Sequence, residues 1–378
     1  MAASAGPTRV IIAAGGTGGH LYPGIAIAEE WMRAHPDSQV LFVGTSRGPE
    51  VEAVPRAGFA LRTIAARGFP RRPGIGVLTA AAAFLTSLVQ AFRLIVDVKP
   101  HVVVGTGAYV SAPVVLCARL FAIPTIVQEQ NSVPGQTNRW LNLIADEVHI
   151  SFVESRGYFR RKNNLKVSGN PIRRSLLHQD RQGACEAMGL DPEKRTLFVF
   201  GGSRGAQSIN RAVAGALDRL RHLSLLQVIW QTGKEDFESI RDRFRGFPVP
   251  VRVHAYLDSI EKAYAAADLC VCRAGAMTIA ELTACGVPAI LIPYPHATHD
   301  HQTHNARGLV DRDAAEMIAD KDLDPEVLAR KIETLLRDDA RLRRLGRNAR
   351  AFARVDAAQR IARSMEQLVN AAPDPGGR

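Results

Sequence analysis

The stretch of sequence that decides the fold reads "VIIAAGGTGGHLYPGIA" and occupies residues 10–26. Its apolar start predicts a buried β-strand, and the apolar spacing that follows predicts a helix with Pro23 in its first turn. Between the two, glycines let backbone N–H groups approach a ligand, and the helix N-terminus carries about +0.5 of an elementary charge. The stretch therefore predicts an anion-binding loop. The alternative is that the glycines only turn the strand into the helix.

The same pattern returns in the second half of the chain, where "LFVFGGSRGAQ" (residues 197–207) joins an apolar run to another glycine loop. The strand-like runs of the first half are RVIIAA, QVLFVG, LRTIA, HVVVGTG, TIVQEQ and EVHIS. Those of the second half are LKVSGN, TLFVFGG, LQVIWQTG, VPVRVHAY, LCVCRAG and PAILIPYP. Helical patterns separate the runs. We therefore expect an α/β protein with two Rossmann-like, doubly wound parallel-sheet domains that face each other across a cleft.

The boundary between the two domains is expected near residues 164–174, where Pro171 stiffens the chain. Ligands of doubly wound sheets bind beyond the carboxyl ends of the strands, which is where both glycine loops are predicted to lie.

The spacing within the first glycine loop argues against two common nucleotide sites. A dinucleotide loop needs G-x-G-x-x-G, but Leu21 stands at the position of the last glycine. The second predicted strand ends in Gly44-Thr45-Ser46, without the acid that would hold a ribose. No G-x-x-x-x-G-K-[ST] motif is present. A P-loop is thereby excluded, and a nicotinamide-dependent dehydrogenase lacks its fingerprint.

His20 stands at the edge of the predicted anion loop. An imidazole titrates near neutrality, so one placed beside a bound substrate can accept a proton from an attacking hydroxyl. The alternative is a histidine that makes only a hydrogen bond within the loop.

The loops of the second half add charged and polar groups. Ser203 and Arg204 lie in a glycine loop that suits a diphosphate, and Arg173 could reach the same charge. In RAGAMTIAEL, Thr278 and Glu281 have the spacing of a capping box. Glu281 therefore either closes a helix end or, if it faces a cleft, accepts the hydroxyls of a ribose.

A histidine-rich segment raises the question of a metal. Four histidines occur within nine residues: His296, His299, His301 and His304. No cysteine accompanies them, no acid stands among them beyond Asp300, and no H-E-x-x-H motif is present, so we expect no metal. Asp300 and Gln302 suit sugar hydroxyls better. The glycine loops, Arg173 and helix N-termini would balance the charge of a leaving nucleotide.

The net charge of +11 on 378 residues points to an anionic partner. The candidates are nucleic acid, an acidic membrane face and a phosphorylated substrate. We find no helix-turn-helix, zinc finger or aromatic-rich sheet motif that would favour nucleic acid.

The most apolar long run is GIGVLTAAAAFLTSLVQAFRLIV, residues 74–96. Polar residues interrupt it, so a membrane-spanning helix is not expected. The run fits a core helix or a helix whose exposed side touches a membrane surface. The interrupting residues are Thr79, Thr86, Ser87, Gln90 and Arg93.

Seven motifs, in this order, resemble those of one family: GGTGGHLYPGIA, GTGAYVSAP, QEQNSVPGQTNR, SGNPIRR, FGGSRGAQSIN, CRAGAMTIAEL and PYPHATHDHQTHNA. As a set they resemble the MurG family, N-acetylglucosaminyltransferases that complete the peptidoglycan lipid precursor, and the resemblance covers residues 8–365. It implies the GT-B architecture. The implied parts are an acceptor- and membrane-facing domain (8–165), a UDP-sugar-binding domain (166–350) and a C-terminal helix (351–370) that returns to the first domain.

The resemblance also implies a reaction. N-acetylglucosamine would move from UDP-N-acetylglucosamine to the 4-hydroxyl of undecaprenyl-pyrophosphoryl-N-acetylmuramyl-pentapeptide. The donor is an α-glycoside and the product a β-glycoside, so the transfer inverts and needs a base but no covalent intermediate. No cofactor, metal or nucleic acid is implied.

A lipid-linked acceptor further implies an anionic membrane surface as a partner, with peripheral attachment at the cytoplasmic face of the plasma membrane. The apolar run would supply the contact, and basic residues would border it. These residues are Arg67, Arg71, Arg72, Arg93, Arg156, Arg160, Arg161, Lys162 and Lys166.

Roles transfer from the family to the matching positions. His20 would be the general base, and Thr17, Gly18 and Gly19 would line the diphosphate region. Tyr109 would face the acceptor, and Asn131 the transferred sugar. The donor contacts would be Arg173 and Ser203 at the phosphates, Leu257, Ala276, Met277, Thr278 and Ile279 around the uracil with Ala280 beside them, Glu281 at the ribose, and Gln302 at the sugar hydroxyls.

Three positions depart from what the family more often shows. Thr106 and Ala108 stand where a Gly-Gly-Tyr run is usual, and Arg204 replaces a common glutamine. The alternative function is another GT-B enzyme, either a natural-product glycosyltransferase or a UDP-sugar epimerase. An epimerase would not need an apolar face bordered by basic residues.

Overall fold

The computed structural model describes residues 7–68 and 75–372 and divides the chain into two compact units. The first comprises residues 1–173 together with 354–378, and the second comprises residues 174–353. Each unit is an α/β unit around one parallel sheet, so the predicted fold class is confirmed. Arg71, Arg72 and Gly74 lie outside the described residues.

The first unit contains β1 (Arg9–Ala13), β2 (Gln39–Gly44), β3 (Ala60–Thr63), β4 (Val102–Gly105), β5 (Thr125–Glu129), β6 (Glu147–Ile150) and β7 (Leu165–Val167). The second contains β8 (Arg195–Phe200), β9 (Leu226–Gln231), β10 (Val251–His254), β11 (Leu269–Cys272), β12 (Ala289–Leu291) and β13 (Glu316–Met317). The sheet orders are β3-β2-β1-β4-β5-β6-β7 and β10-β9-β8-β11-β12-β13. In each sheet the winding reverses beside the strand that precedes a glycine loop, between β1 and β4 and between β8 and β11.

Two details of the sequence prediction are corrected. The run LKVSGN was assigned to the second half, but its strand β7 pairs in parallel with β6 of the first sheet. An apolar run of three residues does not specify which sheet it extends. The two-residue strand β13, which pairs with β12, was not predicted.

The helices, in chain order, are α1 (Gly18–Ala34), α2 (Glu50–Arg56), α3 (Ile75–Val98), α4 (Ala108–Leu120), α5 (Gln136–Leu141), α6 (Arg181–Met188), α7 (Gln207–Leu220), α8 (Phe237–Arg243), α9 (Ile260–Ala266), α10 (Ala276–Cys285), α11 (His301–Val310), α12 (Pro325–Arg337), α13 (Asp339–Phe352) and α14 (Ala357–Ala371). Helix α1 begins at Gly18, so Pro23 lies inside the helix and not in its first turn. The first turn is formed by the glycines themselves, which places His20 within it.

The core of the first unit follows from the alternation of side chains along β1. Val10 and Ile12 pack on one face of the sheet with α1 and with Ile361 and Met365 of the C-terminal helix α14. Ile11 packs on the opposite face with α3 and α4. Helix α14 is therefore part of the first unit's core.

Helix α3 contains most of the apolar run of the sequence analysis. By length and composition alone it could cross a membrane, and only 28% of the most apolar window of Gly76–Val98 is buried. The hydroxyls that interrupt the apolar run are compatible with an apolar environment, because Thr79, Thr86 and Ser87 each donate a hydrogen bond to a carbonyl of the preceding turn. Its inner side, which includes Ala91 and Ile95, is packed in the core of the first unit.

Candidate active site

Parallel strands bring the predicted residues of each unit to the carboxyl edge of its sheet, where such sheets bind ligands. In the first unit, residues 17–20 follow β1, Tyr109 follows β4, Asn131 follows β5 and Arg173 follows β7. In the second unit, Ser203 follows β8, Leu257 follows β10, residues 276–281 follow β11 and Gln302 follows β12.

His20 is held by two acceptors on its Nδ1 atom. The carbonyl oxygen of Thr106 and Oε1 of Gln130 each lie 3.0 Å from Nδ1. The Gln130 amide cannot be reversed, because its Nε2 donates to the Thr106 carbonyl at 2.6 Å and lies near the Gln128 carbonyl at 3.4 Å. The neutral imidazole therefore carries its proton on Nδ1 and its lone pair on Nε2.

The loop after β4 is shaped to receive His20. Gly107 has a φ of 97°, and a Cβ atom there would lie 2.7 Å from His20 Nδ1. Thr106, one of the departures from the family pattern, donates its hydroxyl to the His20 carbonyl at 2.7 Å. Ala108, the other departure, adopts a φ of 61°, a strain of about 1 kcal/mol for a residue with a Cβ. Both departures therefore remain compatible with the position of His20.

Glu50, which the sequence analysis did not single out, supports the first glycine loop. Its carboxylate is fully buried and accepts from the N–H of Gly16 at 3.1 Å and from the N–H and hydroxyl of Thr45 at 2.8 and 2.7 Å. A Cβ at Gly15 would lie 2.4 Å from this carboxylate. Glu50 follows β2, where dinucleotide-binding sheets carry the ribose acid, but here the acid bonds to the protein itself.

Asn131 and Tyr109 have different surroundings. The backbone N–H and side-chain amide of Asn131 contact Glu129 Oε1 at 2.8 and 3.3 Å. Glu129 is buried and also accepts from Asn138 at 2.8 Å, so it builds the loop that presents Asn131. The Tyr109 side chain is 53% exposed and lies against Gly68.

Arg173 lies in the first unit. Its guanidinium carbon is 5.1 Å from the centre of the Tyr22 ring, and its Nε atom is buried without a hydrogen-bond partner. Tyr22 is on α1, two residues after His20. The structure therefore gives Arg173 a position beside the first glycine loop.

The second glycine loop is tied to the predicted uracil segment by Gln231. The buried side chain of Gln231, at the end of β9, donates to the Gly202 carbonyl at 3.0 Å and accepts from the Leu257 N–H at 2.9 Å. Ser203 and Arg204 are exposed on this loop. One buried amide thus links the proposed phosphate and uracil segments.

The helices that follow the two glycine loops begin without a side-chain cap. Neither Thr17, the N-cap of α1, nor Ala206, the N-cap of α7, makes a capping hydrogen bond. They share this with α2, α4, α5, α8, α9, α10, α11 and α14, whereas Asp180, Asp324 and Asp338 cap α6, α12 and α13. The uncapped first turns point unpaired N–H groups at the carboxyl edge, which favours an anionic ligand.

The capping alternative for Glu281 is wrong. Helix α10 begins at Ala276 with Gly275 as its N-cap, so Thr278 and Glu281 both lie inside the helix. Glu281 is 9% exposed, and its Oε2 accepts the hydroxyl of Tyr264 at 3.0 Å. The capping box requires a Ser or Thr at the N-cap itself, which the geometry assigns to glycine.

Arg273 joins the segment after β11 to helix α7. Its Nη2 donates to Ser208 Oγ at 2.8 Å, its Nη1 pairs with Asp320, and Ser208 donates to Asp320 at 2.8 Å. The guanidinium also faces the Tyr294 ring, 5.4 Å from its centre. This network fixes the start of α7 relative to the segment before α10.

The histidine-rich segment leads into α11. The Oε1 atom of Gln302 accepts from the Tyr294 N–H at 2.9 Å. His299 and Asp300 adopt φ values of 53° and 52°, so two successive non-glycine residues are in the left-handed region. Within residues 7–68 and 75–372, no three His, Cys, Asp or Glu side chains are grouped as a metal site requires.

Sequence reasoning missed several residues that orient the predicted ones. A usable signal existed for three of them: Gln128, Gln130 and Gln231 stand at or just beyond the ends of buried apolar strands, where polar side chains need a specific partner. Tyr264 carried no such signal, because it reads as an ordinary core aromatic. Glu50 lies six residues beyond the end of β2, too far from the strand end for the position of a ribose-binding acid.

Two Rossmann-like sheets, each with an uncapped glycine loop at its carboxyl edge, define the chain as a GT-B type protein. Family models agree: the glycosyltransferase family 28 N-terminal domain matches residues 10–150, and the glycosyltransferase family 28 C-terminal domain matches residues 196–361. The chain belongs to glycosyltransferase family 28 and, within it, to the MurG family, as the sequence motifs indicated.

Individual proteins support this assignment. A Geobacter metallireducens relative is 44% identical over 364 residues, spanning 94% of this chain and 98% of its own. It is named UDP-N-acetylglucosamine--N-acetylmuramyl-(pentapeptide) pyrophosphoryl-undecaprenol N-acetylglucosamine transferase. The crystal structure of Acinetobacter baumannii MurG is 30% identical with a TM-score of 0.74, covering 96% of this chain and 100% of that one. A putative UDP-N-acetylglucosamine 2-epimerase from Listeria monocytogenes, 11% identical with a TM-score of 0.71 over 98% of both chains, shares the fold.

Proposed function

We propose that this protein transfers N-acetylglucosamine from UDP-N-acetylglucosamine to the 4-hydroxyl of undecaprenyl-pyrophosphoryl-N-acetylmuramyl-pentapeptide. Membership of the MurG family and the activity for which its relatives are named support the choice of both substrates. The transfer inverts the anomeric centre in a single displacement.

The observation that carries the mechanism is the hydrogen bonding of His20. Both neighbours of Nδ1 accept, so Nε2 holds the lone pair, and His20 is partly exposed at the carboxyl edge of the first sheet. Nε2 would take the proton from the 4-hydroxyl of the acceptor sugar while the oxygen of that hydroxyl attacks the anomeric carbon of the donor. Thr106 and Gln130 would hold the neutral ring in that tautomer before the transfer and would accept from Nδ1–H of the imidazolium after it.

The second unit would bind the donor. Ser203 and the uncapped first turn of α7 would contact the diphosphate, and Leu257 with residues 276–280 would frame the uracil. Glu281 would accept the ribose hydroxyls, Gln302 would read the sugar hydroxyls and Asn131 would contact the transferred sugar.

The leaving UDP gains negative charge as the glycosidic bond breaks. We assign its stabilisation to the helix N-termini, the glycine loops and Arg173, because preorganised donors stabilise developing charge without reorganisation. Thr17, Gly18 and Gly19 would contact the diphosphate of the lipid acceptor. Tyr109 would face the acceptor. No metal ion or cofactor is needed in this mechanism.

The acceptor requires contact with a membrane. Helix α3 exposes Leu78, Leu85 and Val89, whose exposed fractions are 72%, 63% and 52%. Arg93 on the same helix and Arg156 and Arg160 on the same unit are exposed. Apolar side chains beside basic ones favour peripheral binding to anionic lipid, and we propose the cytoplasmic face of the plasma membrane as its location.

A transfer assay tests the function. Radiolabelled UDP-N-acetylglucosamine is incubated with the lipid-linked muramyl acceptor, with and without a chelator. We expect label in the lipid fraction, only when acceptor is present, at equal rates in both conditions. Conversion of the donor to its 2-epimer without acceptor would instead identify a UDP-sugar epimerase, and loss of transfer in chelator would contradict the metal-free mechanism.

A further inference from the structure

Beneath helix α10, a buried tyrosine contacts the carboxylate assigned to the ribose. Tyr264, on α9, is fully buried, and its hydroxyl donates to Glu281 Oε2 at 3.0 Å. The ring of Tyr264 meets Phe198 and Phe200 edge-on, with centroids 5.6 and 5.8 Å apart. These contacts fix the ring, so the hydroxyl is presented at one defined point.

The tyrosine acts as a donor at every physiological pH. Burial and the neighbouring Glu281 charge raise the pKa of Tyr264 well above its usual value, so its proton stays on the phenol. A buried carboxylate needs such a donor because its charge is costly in an apolar environment. The hydrogen bond therefore persists wherever Glu281 is ionised.

Ribose recognition places a geometric demand on Glu281. Two vicinal hydroxyls bind a carboxylate well only when its plane is set before they arrive, because an ordered site loses less conformational freedom on binding. A glutamate side chain has three rotatable bonds. The helix backbone does not restrict rotation about the last two of them. An anchored Oε2 atom restricts them.

We propose that Tyr264 is a positioning residue for the donor ribose: its hydroxyl holds the Glu281 carboxylate in the plane that accepts the ribose hydroxyls. The inference rests on the proposed function, specifically on Glu281 as the ribose contact. Tyr264 itself touches neither the nucleotide nor the reacting atoms.

The test compares UDP with 2′-deoxy-UDP in calorimetric titrations of the full-length protein. We expect the wild type to prefer UDP. In Tyr264→Phe, which keeps the ring and removes only the hydroxyl, UDP binding should weaken about tenfold, or about 1.4 kcal/mol, while 2′-deoxy-UDP binding changes much less. The preference for ribose should therefore shrink.

Two further variants separate positioning from stability. Tyr158→Phe removes an exposed hydroxyl in the first unit and should change neither affinity. If Tyr264 acts through Glu281, adding Tyr264→Phe to Glu281→Gln should produce no further loss of ribose preference. An independent loss in that double variant would contradict the proposal.

The remaining outcomes are also decisive. Equal weakening of UDP and 2′-deoxy-UDP in Tyr264→Phe, with a lower melting temperature, would show a purely structural tyrosine and overturn the inference while leaving the proposed function intact. A wild-type protein that binds UDP without ribose preference overturns the inference as well. A wild-type protein that binds no UDP overturns the donor assignment, and this inference with it.

Discussion

At the scale of single residues, His20 is predicted to act in the chemical step and not in donor binding. Replacing His20 by Ala removes the Nε2 lone pair, and loss of a general base typically lowers turnover by about 10²–10⁴-fold. Steady-state kinetics should therefore show a large fall in kcat, while calorimetry shows an unchanged Kd for UDP, because His20 is not among the proposed UDP contacts.

A histidine at the other end of the same helix provides the control. His35 is the C-cap residue of α1, and its ring packs at a tilt against Trp31, with ring centroids 4.2 Å apart. His35→Ala should affect stability alone. Wild-type turnover in His20→Ala would remove His20 from the mechanism.

Glu50 is a second single residue with a testable role, and this role is to stabilise the first glycine loop. The Glu50 carboxylate accepts hydrogen bonds from backbone N–H groups, and in Glu50→Gln an amide NH₂ would face these donors instead. We therefore expect the free energy of unfolding to fall by about 2 kcal/mol in urea titrations. Glu52→Gln, an exposed change on the same helix, should cost little. Equal stabilities of the two variants would contradict the supporting role of Glu50.

At the scale of elements, helix α3 gives a prediction about membrane binding. Leu78→Glu combined with Leu85→Glu should lower partition into anionic liposomes at least tenfold, because inserting one leucine contributes about 1.5–3 kcal/mol. The melting temperature should not change, since both side chains are mostly exposed. Leu225→Glu alters a leucine of similar exposure (65%) in the second unit and should leave partition unchanged. Wild-type partition of the double variant would exclude α3 as the contact.

The strands and helices also show how much of the fold the sequence alone predicts. Twelve of the strands follow apolar runs read from the sequence. In central strands such as β4, β5 and β11 both faces are buried, which leaves a continuous apolar signal. The residues Thr17, His20 and Glu281 could be found through motifs. The start of α1 was misplaced, because the glycines that open it are poor helix formers and give no helical signal in the sequence.

The unpredicted part of the site consists of residues that act on other residues. Gln130 sets the tautomer of His20 from a position 110 residues away in sequence. Tyr264 bonds Glu281 from a different helix, and no periodicity reports such a pair. Long-range hydrogen bonds depend on how strands and loops meet in space, so they become visible only in the folded chain.

At the scale of the whole molecule, the chain end returns to the first unit through a charged cluster. Lys166 on β7 donates to Ser364 on α14 at 3.1 Å and pairs with Glu147 on β6 at 2.6 Å. His149 Nε2 lies 3.1 Å from Glu147. Burial raises the pKa of Glu147, but hydrogen bonds from His149, Lys166 and Ser364 outweigh burial and lower it to about 2.

This cluster predicts that the attachment of the C-terminal helix weakens in acid. A folded pKa of about 2 lies below the ordinary glutamate value of 4.5, so the ionised Glu147 contributes stability that is complete above pH 4.5 and lost as the pH falls towards 2. Burial also lowers the pKa of His149. Below the ordinary histidine pKa near 6.5 the unfolded chain therefore binds a proton that folded His149 does not, which acts in the same direction.

The unfolding free energy of the wild type should therefore exceed that of Glu147→Gln by about 3 kcal/mol at pH 7, and by only about 1 kcal/mol at pH 3. Urea titrations at pH 7, 5 and 3 measure this difference, with Glu366→Gln, an exposed carboxylate on α14, as the control that should show a small difference at every pH. A difference between wild type and Glu147→Gln that stays constant from pH 7 to pH 3 would show that the Glu147 charge does not hold the returning helix.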